Sequence, residues 1–273
     1  MENKPENKNF HHRKPIVRDR DREPSEVPAG VVFGRNEVRE LLKSGRSIDK
    51  IFVRRGDKEG SINVIIGEAS ARGIPIVNVE KEKLDELTRG GVHQGVVAMA
   101  AEKDYCEVDD ILRIAADRGE KPFLVILDNV EDPYNLGAII RSAECAGAHG
   151  IILPKRHAAG LTATAAKASA GALEHMAIAK VVNLAVEIDR LKELGIWVYA
   201  AEADGQDLYT TDLDRPAAFV FGSEGNGVSR LVREKCDYTV SIPLHGKVNS
   251  MNVSAAAAVI LCEAAHRRFG DHS

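Results

Sequence analysis

Clustered metal-binding residues are missing from this sequence. Its four cysteines (Cys106, Cys145, Cys236 and Cys262) are widely spaced, with no CxxC pair and no grouped Cys/His pattern. That argues against a zinc site, any other metal site or a disulfide scaffold, and a reduced, cytoplasmic setting is the expectation. No run of about 18 uncharged apolar residues occurs, so no membrane span is expected. The N-terminal stretch MENKPENKNFHHRKP has no apolar core behind its charges, unlike a secretory leader. Neither the dinucleotide fingerprint G-x-G-x-x-G nor a Walker A sequence is found, which argues against a pyrophosphate cradle and makes a nicotinamide-dependent oxidoreductase a remote reading.

What is present is an ordinary globular composition. Of 273 residues, 44% are hydrophobic and 29% charged, enough apolar content for about two domains. The net charge of −4 is unevenly spread, residues 1–103 carrying +3 and residues 104–273 carrying −7. A polyanion-binding protein need not be basic overall, but its basic part should be where the polyanion is held. Residues 1–28 mix Asn, Lys, Glu, Arg, Asp and Pro with almost no apolar periodicity, and read as a disordered tail.

From Val31 the pattern becomes regular. Val38, Leu41 and Leu42 mark one helix face, and Ile62, Ile65, Ile66 and Ala69 a second. Strand-like runs stand at 51–53, 74–79 and 95–99, so residues 29–101 read as a small α/β domain. Residues 102–120 are charged, with one weak helical pattern, and read as a linker. The run F-L-V-I-L at 123–127 then opens a larger α/β domain over 121–273, its continuous apolar strand being typical of a buried, mostly parallel sheet. Further strands are expected at 150–153, 177–181, 196–200, 217–221 and 238–242, with a last helix from about Asn252 to Arg268.

Three segments of the larger domain place polar residues where packing alone needs none. The first, L-D-N-V-E-D-P-Y-N-L-G-A-I-I-R-S-A over 127–143, takes a buried strand into a polar loop and then a helix. Asn135 and Arg141 both border that strand end, where open α/β sheets bind ligands. A purely structural account makes Asn135 a helix cap and Arg141 a surface ion-pair partner. The second, F-G-S-E-G-N-G-V over 221–228, has three glycines between a strand and a helix, so backbone must turn sharply or approach something closely. Glu224 in that loop is either a hydrogen-bond acceptor or a solvated charge. The third, S-I-P-L-H-G-K-V-N-S-M-N-V-S over 241–254, carries apolar Ile242, Leu244 and Met251 able to form a slot for a flat ring. Ser250 or Asn252 caps the helix that follows. The single histidines His93, His149, His157, His175 and His245 show no triad or metal spacing and read as structural or exposed.

In this order and spacing the segments resemble the three signature motifs of the SpoU (TrmH) family, S-adenosylmethionine-dependent RNA ribose 2′-O-methyltransferases. The likeness covers about 120–273. Residues 31–100, ending G-V-H-Q-G-V-V-A, look like the small substrate-binding domain that precedes it in RlmB-like members. One departure is Met251, where the family usually has Leu of similar volume. The resemblance implies a C-terminal α/β trefoil-knot (SPOUT) methyltransferase domain with a small N-terminal α/β RNA-binding domain. It further implies S-adenosylmethionine as cofactor, RNA (most often rRNA) as partner, and a homodimer. By matching motifs, Gly222, Ile242, Leu244 and Met251 would hold the cofactor. Asn135 and Arg141 would face the RNA, and Glu224, Ser250 and Asn252 would complete the catalytic set. A guanosine of 23S rRNA is the first expected target. A tRNA ribose methyltransferase and a non-catalytic RNA-binding assembly factor are the alternatives.

Overall fold

A computed structural model describes residues 27–57 and 60–270. The tail expected over 1–28 lies outside the described residues as far as residue 26. The small domain runs β1 (Val31–Phe33), α1 (Arg35–Lys43), β2 (Ile48–Arg54), α2 (Ser61–Ala71), β3 (Ile76–Val79), α3 (Lys81–Thr88) and β4 (Val96–Ala100). Its sheet has the order β1-β4-β2-β3, with β4 antiparallel to both neighbours and β2 parallel to β3. Val38, Leu41 and Leu42 of α1 and Ile62, Ile65 and Ala69 of α2 pack together with Ile51 and Val53 of β2, so the periodicity read from the sequence is the buried face.

The larger domain begins earlier than its first long strand. Residues 102–120 contain α4 (Val108–Asp117), whose Val108 and Ile111 pack on the second sheet. Ile111 sits against Gly150, where a Cβ would come within 2.6 Å of its side chain. Then follow β5 (Phe123–Leu127), α5 (Pro133–Cys145), β6 (Gly150–Pro154), α6 (Ala163–Ala168), α7 (Ala172–His175) and β7 (Ala177–Val181). The chain continues through α8 (Leu184–Glu193), β8 (Trp197–Asp207), β9 (Ala217–Phe221), α9 (Arg230–Lys235), β10 (Tyr238–Ser241) and α10 (Val253–Phe269).

All these strands pair in parallel, in the order β10-β8-β9-β5-β6-β7. Central β5 and β9 are buried along their whole length, as a strand covered on both faces must be. Side chains alternate across the sheet. Phe123, Val125 and Leu127 meet α5 and α10 on one face, and Leu124 and Ile126 meet α4 and α8 on the other. The alanines at 163–172 bring α6 very close to α5: a Cβ on Gly137 would lie 2.5 Å from the Ala165 carbonyl oxygen. His149, just before β6, is buried. Its Nδ1 accepts from the Phe123 amide at 3.0 Å and Nε2 donates to Glu120 at 2.9 Å. Burial holds this imidazole below its usual pKa range, against the pull of Glu120. No helix among the described residues is long and apolar enough to cross a membrane.

Candidate active site

The first segment leaves β5 at Leu127 and turns at once. The Asp128 amide donates to the Phe221 carbonyl at 2.8 Å, continuing the β5–β9 pairing by one residue. Its buried carboxylate then accepts from the Ser229 amide at 2.7 Å and from Asn129 Nδ2 at 2.9 Å, tying the first loop to the far end of the second. The cap of α5 is Asp132, which accepts from the Tyr134 amide at 3.0 Å, with Pro133 in the first helical position. Asn135 is therefore inside the first turn, its side chain not needed for capping. It is 8% exposed, turned toward the other two segments rather than toward solvent.

The second segment folds back on itself. Ser223 and Gly227 exchange backbone hydrogen bonds of 3.0 and 2.9 Å, closing the loop after β9. Gly227 has a left-handed φ of 63°, and a Cβ on Gly222 would lie 2.0 Å from the Gly227 carbonyl carbon. Both glycines are thus required by the turn itself. Glu202 braces the same turn, its carboxylate accepting from the Val228 amide at 2.5 Å.

The third segment runs from Ser241 to the start of α10. Asn252 caps that helix through Oδ1, which accepts from the Ser254 and Ala255 amides at 2.9 and 3.3 Å. Its Nδ2 is spare, and donates to Asn135 Oδ1 at 3.1 Å and to Glu224. Asn135 Nδ2 in turn donates to Glu224 Oε1 at 3.1 Å. The three segments, more than a hundred residues apart in sequence at their extremes, are joined by one ring of side chains: Asn135, Glu224 and Asn252.

Beside this junction is a cavity of about 420 Å³, in the size range of small-molecule sites. Gly222, Ile242, Leu244 and Met251 line it, with Glu224 and Ser250 also on its wall. Phe221, Val240 and Ile260 supply a deeper apolar surface, and the backbone of 222–227 supplies polar groups. An apolar slot edged by main-chain donors and acceptors suits an adenosine-type ligand, so these residues fit S-adenosylmethionine. The cavity opens at the carboxyl ends of the strands, the usual ligand side of an open α/β sheet.

Arg141 stands apart from the cavity wall. It lies on α5, is exposed, and makes no side-chain hydrogen bond or ion pair with any described residue. Of the histidines, His93 and His149 are buried in structural hydrogen bonds, while His157, His175 and His245 are exposed.

Sequence patterns gave no hint of residues 201–203 in the cavity wall. The expected strand ended at residue 200, yet β8 continues to Asp207. Its pairing with β10 jumps from Thr239↔Ala200 to Val240↔Gln206, so the intervening residues bulge out toward the cavity. The available signal was Gly205, where a Cβ would stand 2.6 Å from the backbone of Thr239 and Val240.

The chain is similar to known proteins over most of its length. Residues 122–262 match the SpoU rRNA Methylase family, and residues 31–106 match the RNA 2′-O ribose methyltransferase substrate binding domain. A Bacillus subtilis relative, YacO, named for the TrmH family of tRNA/rRNA methyltransferases, is 46% identical over 238 residues, covering 87% of this chain and 95% of its own. Similar solved structures include the SpoU methyltransferase AviRb of Streptomyces viridochromogenes in complex with AdoMet. It shows 26% identity and a TM-score of 0.55 over 88% of this chain and 91% of that one. An AdoMet-bound rRNA methyltransferase of Sinorhizobium meliloti gives 26% and 0.53 over 86% and 85%. The chain belongs to the SpoU (TrmH) family of S-adenosylmethionine-dependent RNA methyltransferases.

Proposed function

We propose that the protein methylates a ribose 2′-hydroxyl in structured RNA, with a guanosine of 23S rRNA as the preferred target. The observation that carries this reading is the Asn135–Glu224–Asn252 ring beside the cavity, which makes one site of three separate segments. When bound, S-adenosylmethionine supplies an electrophilic methyl group. The chain's own task is then alignment of the ribose oxygen and management of its proton.

Gly222, Ile242, Leu244 and Met251 hold the cofactor, and Ser250 shapes the mouth of the cavity. The ring fixes the relative positions of α5, the glycine loop and α10, so that a ribose entering over α5 meets a rigid wall. A guanidinium is a poor base, so Arg141 is assigned to binding and charge stabilisation. Its fork suits a phosphate next to the target ribose, or the negative charge growing on the ribose oxygen. In the division of labour, residues 29–101 capture RNA and residues 121–273 carry out the transfer.

A homodimer in the cytoplasm is part of the same proposal. Leu244 and Met251 of the cavity wall are 41% and 38% exposed, and Val248, between them in the third segment, is 71% exposed, an apolar surface that a second copy would cover. The trefoil knot, implied by family likeness, belongs here too, with the third segment as the threaded part.

The test is methyl incorporation from labelled cofactor into separated 23S, 16S and transfer RNA from cells lacking the gene. Label confined to 23S rRNA is expected. Label confined to transfer RNA would move the substrate to the alternative within the family, and binding of RNA without any incorporation would favour an assembly factor.

A further inference from the structure

A second cleft lies between the domains. It measures about 230 Å³ and is walled by Arg46 and Arg72 of the small domain and by Lys155 and Lys180 of the large one. Its floor is a buried ion pair. Asp49, its side chain 1% exposed, accepts from Lys180 Nζ at 2.8 Å and from the Tyr105 hydroxyl. Lys180 also lies 4.1 Å from the centre of the Tyr105 ring. Asp49 reaches so close to the large domain that a Cβ on Gly160 would stand 2.2 Å from its Oδ2. The floor is therefore rigid and spans both domains.

The surrounding lysines are different. Lys155 in the cleft wall and Lys50, next to Asp49 on β2, make no side-chain hydrogen bond or ion pair with any described residue, although both are near enough to repel Lys180 electrostatically. Burial, Lys50 and Lys155 all pull the Lys180 ammonium below its usual range, and only Asp49 opposes them. Arg46, Arg72, Lys155 and Lys180, with Lys50 beside them, thus outnumber the carboxylates of Asp49 and Glu107 at the cleft. Such a cluster is relieved by a polyanion, whose phosphates take the place of a missing counter-charge.

The cleft's position says which polyanion. Lys155 directly follows β6 and Lys180 is the fourth residue of β7, so both are on the same carboxyl edge of the sheet as the methylation site. The loop after Lys155 is joined to the first segment through the Ala159 amide and the Val130 carbonyl, 2.8 Å apart. The cleft and the first segment therefore share one edge of the sheet. We propose that Lys50 and Lys155, backed by Arg46 and Arg72, grip backbone phosphates of the substrate RNA, so that RNA lies across both domains and not on the small domain alone. This inference rests on the protein's being an RNA methyltransferase.

The test is binding of an end-labelled 23S rRNA transcript to full-length wild type and to the double variant Lys50→Ala/Lys155→Ala, over a salt series. The double variant should bind about tenfold more weakly near 0.1 M salt. Its log–log salt slope should be shallower by about 1.4, or roughly 0.7 for each lost phosphate contact on single-stranded RNA. Cofactor affinity, measured by calorimetry, should not change, and the thermal midpoint should stay close to wild type because the Asp49–Lys180 floor is untouched. Lys50→Arg/Lys155→Arg should restore the slope. An unaltered slope and affinity in the alanine variant would overturn the proposal. Should both proteins bind RNA with the expected difference in slope yet neither incorporate methyl, the cleft would stand and the transfer reading would fall.

Discussion

Arg141→Ala is expected to slow methyl transfer by about 10²–10³ in single-turnover experiments at saturating RNA, the usual cost of losing one donor to developing negative charge. Cofactor affinity should stay nearly constant, because Arg141 is not part of the cavity wall. The expectation follows from what this side chain does not do. It is exposed, without an ion-pair partner among the described residues, on a helix whose first turn is pinned by Asn135 to the other two segments. Six residues along an α-helix correspond to about 9 Å of rise and some 120° of rotation, so the two side chains leave α5 in different directions. Arg141→Lys is the sharper variant, since it keeps the charge but not the planar fork. Little recovery with Lys points to bidentate contact, and near-complete recovery to a point charge. A wild-type single-turnover rate in Arg141→Ala would return this residue to the surface.

Gly222→Val should abolish most cofactor binding, by a factor of ten or more, equivalent to about 1.4 kcal/mol. The cause is internal to the loop. A Cβ at this position would meet the Gly227 carbonyl carbon and oxygen at 2.0 and 2.1 Å and the Val228 nitrogen at 2.2 Å, all of them backbone. No flexible side chain is there to yield. The turn must open, and with it go the Ser223–Gly227 pairing and the Glu202 brace. Gly222→Ala should already show the effect, with overpacking of about 1–3 kcal/mol in stability. Gly225→Ala is the control: that position has open space around a Cβ and no left-handed backbone, so near-normal binding is expected. Calorimetric titration with the cofactor, alongside thermal melts, separates the two variants. Wild-type affinity in Gly222→Ala would show that the loop does not form the site.

The architecture was legible because burial on both faces writes itself as unbroken apolar runs. F-L-V-I-L and A-A-F-V-F became β5 and β9 with no polar interruption. The helix faces of the small domain were equally plain. What escaped the sequence depends on contacts between distant residues. Asn135 was an equally reasonable cap until Asp132 and Pro133 were seen to start the helix. The glycines of the second segment left open a sharp turn or a close approach, and the packing of Gly222 against its own loop shows the turn. Asp49 carries no mark in the sequence, because its burial against Lys180 requires a second domain. The bulge in β8 is set by the register of β10, which no local pattern encodes. A knot, for the same reason, comes from likeness to the family, since threading leaves no mark on residue periodicity.

The central claim is transfer to a ribose oxygen at the site formed by the three segments. The direct measurement is the chemistry of the methylated product. RNA labelled by the wild-type protein with methyl-labelled cofactor is hydrolysed in alkali, which needs a free 2′-hydroxyl to cleave the adjacent phosphodiester. Ribose methylation predicts label in an alkali-resistant dinucleotide whose 5′ nucleoside is guanosine, and its loss from the reaction with Arg141→Ala. Label recovered in mononucleotides, on the base, would contradict the account.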